Sequence, residues 1–248
     1  MNAEEFITLL SEKSGEEAQL KTLRNRVPLG VDAFHDIVCS QNKEHPYTAN
    51  HTCITGARRT VFIRKLLLTL SCLYEKEEAN FFILSPRAEY GELLKLKNAD
   101  ITVPFIRDKK DFENALVCLK ELLSLYKQGV GFPKLLLVLD GVEELEDCNK
   151  NGDFEEYRTV LEMLAVEKNV QVIVGADLMK SIFSGEPGVF VGVGNSLVTT
   201  REEGRADVTF VHDDFSLSLP TAIEYPQTPS VTETIIFLNS LAAKRNQE

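Results

Sequence analysis

One glycine followed by two arginines and a threonine, Gly56-Ala57-Arg58-Arg59-Thr60, separates a short apolar segment ending at Thr55 from a run with Phe62, Ile63, Leu66, Leu67, Leu70 and Leu73 at helical spacing. Glycine permits a sharp backbone turn, and the first N–H groups of a helix have no partner inside it. Arginine and threonine add positive charge and a hydroxyl, so the segment holds the parts of an oxyanion site. Arg58, Arg59, Arg64 and Lys65 crowd that helix start, where each cation opposes the helix dipole by roughly 0.3–1 kcal/mol. Two readings stand. The turn is an anion site for a phosphate, a nucleotide or a partner's carboxylate, or it is a worn turn whose arginines point into water or pair with local acids.

A second candidate group follows the apolar run Leu135–Leu139, which ends in Asp140 and Gly141 with Glu143 and Glu144 just beyond. A carboxylate that ends a buried strand at such a crevice reads as functional, although Asp-Gly is also a common turn dipeptide. The acids from Glu143 to Asp147 read as a solvated helix start or loop. His35, His45, His51 and His212 show no ligand spacing, and the cysteines Cys39, Cys53, Cys72, Cys118 and Cys148 form an odd set without a C-x-x-C pair. Neither a zinc site nor a disulfide framework follows.

Elements must bring these groups together. A helix is expected over Thr60–Leu73, strands at Phe81–Leu84 and Ile101–Phe105, and a helix from Asp111 with Phe112, Ala115, Leu116, Leu119, Leu122, Leu123 and Tyr126 on one face. Leu135–Leu139 is the text of a strand covered on both sides. A helix over Phe154–Ala165 leads to a strand at Val170–Val174, then short strands at Val189–Val191, Val208–Val211 and Ala222–Tyr225, and a closing helix over Val231–Lys244. Residues 1–26 read as an N-terminal helical extension, and Pro28 begins a strand or hairpin that opens one domain over 27–248. Strands alternating with helices predict an α/β fold with a mostly parallel central sheet flanked by helices, and ligands beyond the carboxyl ends of its strands.

The order of these segments carries a resemblance. HTCITGARRTVFIRKLLLTL is similar to the strand, T-G-S-G-K-S loop and V-F-[IL]-R-x-L-L helix of the FtsK/SpoIIIE-type motor ATPases, including those of type VII secretion. VPLGVD resembles that domain's P-L-G-x-D opening, ILSPRAEYGELL its strand and D-P-K-x-x-E, LLLVLDGVEEL its Walker B strand, and NVQVIVGAD the G-I-H-L-I-x-A-T-Q strand after it. The likeness runs in order from about Val27 to Tyr225 and implies a P-loop NTPase fold, a RecA-like three-layer sandwich. It implies phosphate or nucleotide contacts at Thr55, Gly56, Ala57, Arg58, Arg59 and Thr60, magnesium at Asp140, and a second-strand loop at Ser85 and Arg87.

The departures bear on activity. Aligned without a gap, Cys53 and Arg58 take the two loop glycines; aligned strand to strand, Gly56 becomes the first glycine and the loop is three residues shorter. In both, Arg59 replaces the lysine and Thr60 keeps the hydroxyl. A side chain at a loop glycine costs on the order of 1 kcal/mol if the left-handed conformation is kept, and arginine is bulkier than the compact ammonium the phosphates need. Gly141 stands where the family has the glutamate that activates water, Ser85 where it has an aspartate, and Ala176-Asp177 where it has Thr-Gln.

The expectation is therefore a non-catalytic FtsK-like pseudo-ATPase, an assembly or regulatory module in which binding of an anion or nucleotide stays open, against the alternative of a divergent ATP-binding DNA or protein translocase-type ATPase using ATP and magnesium. Motor subunits of the same fold, or further copies of this chain, are the expected partners. The net charge of −11 disfavours a broad nucleic-acid face. No apolar run approaches the roughly 20 residues that span a bilayer, and the N-terminus bears acids where a secretory signal carries positive charge. A cytoplasmic protein without direct membrane insertion is expected.

Overall fold

The structure is a computed structural model that describes residues 5, 27–40, 51–74, 77–96, 106–128, 133–141, 144, 154–167, 169–176, 196–202, 204–210, 217–225, 232, 235 and 236. Alternating apolar strands and amphipathic helices fold as the sequence text dictates through the middle of the chain. The strands are β1 (Pro28–Val31), β2 (Ile37–Cys39), β3 (His51–Thr55), β4 (Ala79–Leu84), β5 (Lys134–Asp140), β6 (Val170–Gly175), β7 (Ser196–Thr200), β8 (Arg205–Phe210) and β9 (Thr221–Glu224). The helices wholly within the described residues are α1 (Arg59–Leu73), α2 (Lys109–Lys127) and α3 (Phe154–Ala165), with a 3-10 helix at Ala88–Lys95.

The nine strands among the described residues join one sheet in the order β2-β1-β9-β8-β7-β3-β6-β5-β4. From β7 to β4 every pairing is parallel, the expected central sheet. From β7 to β2 every pairing is antiparallel. This second half was less legible: β7 was not anticipated, because SLVTT is short and half polar, and β8 begins three residues before the expected Val208.

Period-two alternation divides the core. Phe81 and Ile83 of β4, Leu136 and Val138 of β5, and Ile173 of β6 face α1 and the 3-10 helix. Phe82, Leu84, Leu135, Leu137, Leu139, Val172 and Val174 face α2 and α3. Helices on both faces of the parallel strands make three layers, and each fully buried Leu, Ile or Phe contributes roughly 1.5–3 kcal/mol of transfer free energy. The start of α2 is fixed locally: the Asp108 carboxylate accepts from the Asp111 N–H at 3.0 Å, an N-cap.

The expected helices over 1–26, Glu5 apart, and the strands at Ile101–Phe105 and Val189–Val191 lie outside the described residues, as does the closing helix except for Thr232, Ile235 and Ile236. Ile235 packs on the core layer beneath α1. Among the described residues no helix is long and apolar enough to cross a membrane.

Candidate functional site

Asp140 is the last residue of β5, and at that point β6 presents Gly175 as its register partner. Gly175 has no side chain for a physical reason: a Cβ there would strike the Asp140 carboxylate and lie 2.9 Å from Ile63 Cδ1. The carboxylate thus folds across the carboxyl end of the sheet and is fully buried. A buried carboxylate must be paired and hydrogen-bonded, and this one is. Arg59 Nε donates to Oδ1 at 3.2 Å. The Thr60 hydroxyl donates to Oδ2 at 2.7 Å, and the Tyr90 hydroxyl donates to the same oxygen at 2.9 Å. Arg87 Nε stands 3.9 Å from Oδ2.

Arg87 ties the cluster to the surface. Its Nη1 donates to Thr60 Oγ1 at 3.0 Å and its Nη2 to Glu144 Oε1 at 2.8 Å. The turn that aims it is built by Ser85, which is fully buried and whose hydroxyl accepts from the Arg87 N–H at 3.1 Å. Tyr90 comes from the 3-10 helix and is fully buried. Burial first, and then the Asp140 charge and hydrogen bond, hold its phenol pKa well above the ordinary value, so it remains a donor across the physiological range. Two guanidiniums, Arg59 and Arg87, face two carboxylates, Asp140 and Glu144.

The turn between β3 and α1 is short. β3 keeps its ladder through Thr55, with Cys53 paired to Val174 and Leu197, and α1 begins at Arg59. Only Gly56, Ala57 and Arg58 lie between, and Cys53 is a buried strand residue rather than part of a loop. Gly56 has φ +96°, and a Cβ on it would meet the Thr200 carbonyl oxygen at 2.5 Å. Ala57 and Arg58 are exposed. Thr55 contributes its carbonyl, which accepts from the Thr200 hydroxyl at 2.8 Å.

Of the sequence candidates, the structure brings Arg59, Thr60, Arg87, Asp140 and Glu144 into one network, places Thr55 and Gly56 beside it, and leaves Ala57 and Arg58 toward solvent. Glu143 and Asp177 lie outside the described residues. Gly141, where the family's water-activating glutamate was aligned, has φ +79°, and a Cβ there would sit 3.2 Å from Pro86. A glutamate would be strained at that backbone. Sequence reasoning missed Tyr90, Thr200 and Gly175. Tyr90 was findable, since it falls on the last acid of the D-P-K-x-x-E pattern; Thr200 was not, because the strand carrying it was not foreseen.

Among the described residues no group of three or more His, Cys, Asp or Glu side chains could hold a metal ion. Direct coordination of a magnesium ion by Asp140 Oδ1 would compete with the Arg59 guanidinium that donates to it at 3.2 Å. A cavity of about 780 Å³ lies elsewhere, between the turn after β1 and the β8–β9 strands, and is lined by Ala33, Arg201, Arg205, Asp207 and Ile223 among others.

A parallel sheet with a glycine turn entering a helix, and a strand-end aspartate against that helix's threonine, define the P-loop NTPase class of fold. More closely, the chain has the fold of FtsK/SpoIIIE-type P-loop ATPase domains. It is similar to the cytoplasmic domain of the type VII secretion ATPase EccC from Thermomonospora curvata, with TM-score 0.62, 16% identity, and 87% of this chain and 31% of that one covered. EssC (ATPases 2 and 3) from Geobacillus thermodenitrificans matches with TM-score 0.56, 16% identity and 83% and 42% coverage. The pCW3 conjugation coupling protein TcpA, in its monomer form with ATPγS, matches with TM-score 0.53, 12% identity and 86% and 70% coverage. The chain therefore spans about a third of EccC and two-fifths of EssC as solved. No protein-family model and no curated protein sequence matches it.

Proposed function

We propose that this chain is a non-catalytic P-loop domain, a pseudo-ATPase that serves as an assembly or regulatory module of a translocation machine. One observation carries the reading: the buried Asp140 carboxylate is already enclosed by Arg59, Thr60 and Tyr90. A P-loop hydroxyl also stands beside an aspartate that serves magnesium, so the distinguishing contacts are those of Arg59 and Tyr90. Here a guanidinium supplies the positive charge, and the cluster is close to neutral without metal or nucleotide.

The surrounding chemistry agrees. Three positions where the family carries acids hold Ser85, Tyr90 and Gly141, while the positive positions are kept as Arg59 and Arg87. Loss of carboxylates with retention of cations removes the attraction for a divalent ion. No general base stands at Gly141 to orient water.

The partners this reading favours are motor subunits of the same fold or further copies of this chain in the cytoplasm, since EccC and EssC each continue well beyond the part that this chain resembles. A second reading, a divergent ATP-binding translocase ATPase, is favoured by the similarity to TcpA, solved with ATPγS. Phosphate release separates the two. With millimolar ATP and magnesium the purified chain is expected to release phosphate at the rate of the buffer. Release above that rate, and lost on Thr60→Ala, would establish the second reading.

A further inference from the structure

The turn that faces the phosphate position is held from the side by β7. Thr200, the last residue of that strand, is buried and lies beside Gly56. Its hydroxyl donates to the Thr55 carbonyl at 2.8 Å and accepts from the Arg58 N–H at 3.3 Å. One side chain thus spans both ends of the turn, with the acceptor taken from the end of β3 and the donor from the residue that caps α1. Backbone N–H groups in such a turn are the donors a phosphate would use. Here the Arg58 N–H already points at an oxygen of the chain itself.

Two further features fix the arrangement. Gly56 approaches so closely that a Cβ would lie 2.6 Å from Thr200 Oγ1, so no larger residue fits without moving β7. Thr200 itself is held in register by Thr55–Thr199 pairing on one side and Ala206 on the other. Beyond it the hairpin closes with the Arg201 N–H donating to the Arg205 carbonyl at 3.1 Å and with an Arg201–Asp207 ion pair.

We propose that Thr200 is an autoinhibitory pin: its hydroxyl occupies the place of an oxyanion in the Gly56–Thr60 turn and keeps that turn closed to phosphate. This deepens the pseudo-ATPase reading and rests on it in taking Gly56–Thr60 as the phosphate-facing turn. Asp140 is kept from a cation by Arg59, and the turn is kept from an anion by Thr200. The two contacts come from different elements and close the two halves of one site.

The test follows the Arg58 amide by hydrogen exchange in the full chain, with inorganic pyrophosphate as the probe. Thr200→Val removes the hydroxyl at nearly constant shape, Thr200→Ala removes it without bulk in case valine perturbs the fold, and Thr200→Ser keeps it. In the valine and alanine variants Arg58 is expected to exchange about three- to tenfold faster, the scale of one hydrogen bond, while amides of β5 keep their rates. Millimolar pyrophosphate is expected to slow Arg58 again in those two variants and to leave the wild type and Thr200→Ser unchanged. An Arg58 rate indifferent to the hydroxyl, or an equal pyrophosphate effect on the wild type, would overturn the proposal. ATP turnover by the wild type would contradict the proposed function instead, and is read in a separate assay.

Discussion

Asp140→Asn is expected to destabilise the metal-free chain by about 3–5 kcal/mol, the usual cost of leaving a buried ion pair with one partner. The amide keeps the shape of the carboxylate and loses its charge. Arg59, whose side chain is 10% exposed, loses the carboxylate charge at 3.2 Å, and Arg87 loses the same charge at 3.9 Å while its pair with the half-exposed Glu144 is worth little in water. The hydroxyls of Thr60 and Tyr90 both donate to Oδ2, and an amide group at that place accepts them less well. At this chain length the loss corresponds to a fall in melting temperature of roughly 10 °C. The sign is diagnostic. In a site built to receive magnesium, the empty carboxylate is a desolvation cost, and neutralising it would leave stability unchanged or raise it. Thermal unfolding in a chelator reads the difference; a change under about 1 kcal/mol would argue that the guanidiniums do not stabilise the fold through Asp140.

Gly175→Ala is the second large effect, with an expected cost of about 1–3 kcal/mol from overpacking. The added methyl strikes the Asp140 carboxylate and approaches Ile63 Cδ1 to 2.9 Å, and β6 cannot move aside because it is paired on both edges, to β3 and to β5. The cause can be isolated by a double-mutant cycle. With Asp140→Ala in place the carboxylate is gone, and Gly175→Ala should cost markedly less than in the wild type. Equal costs in the two backgrounds would locate the clash elsewhere, at Ile63.

The parallel half of the fold was legible because its signals are local. The 3–4 spacing of Phe62, Ile63, Leu66, Leu67 and Leu70 marks α1, and five consecutive apolar residues before Asp140 mark β5 as covered on both faces. The antiparallel half is written in short, half-polar strands whose pairing is decided by register rather than composition. β7 went unseen for that reason, and Thr200 with it.

The site divides in the same way. Residue types pointed to Arg59, Thr60, Arg87 and Asp140, but their association into a closed network is a property of distance. Arg59 and Asp140 are 81 residues apart in sequence, and Thr200 is 145 from Thr55. At the turn itself the two arginines nearest Asp140 are turned inward onto acids, and Arg58 is exposed. Tyr90 stands in the sequence at the last acid of the D-P-K-x-x-E pattern, and the 3-10 helix brings its hydroxyl to the carboxylate.

The central claim is that the chain completes its own nucleotide site and has no place for magnesium and ATP. Calorimetric titration of the full chain with ATP and magnesium tests it most directly. The expected result is no heat of specific binding at micromolar protein and millimolar ligand, and the same melting temperature with ATP and magnesium as with chelator. Saturable, magnesium-dependent binding in the micromolar range, which at a hundredfold excess over Kd would stabilise the chain by about 2.7 kcal/mol, would contradict it.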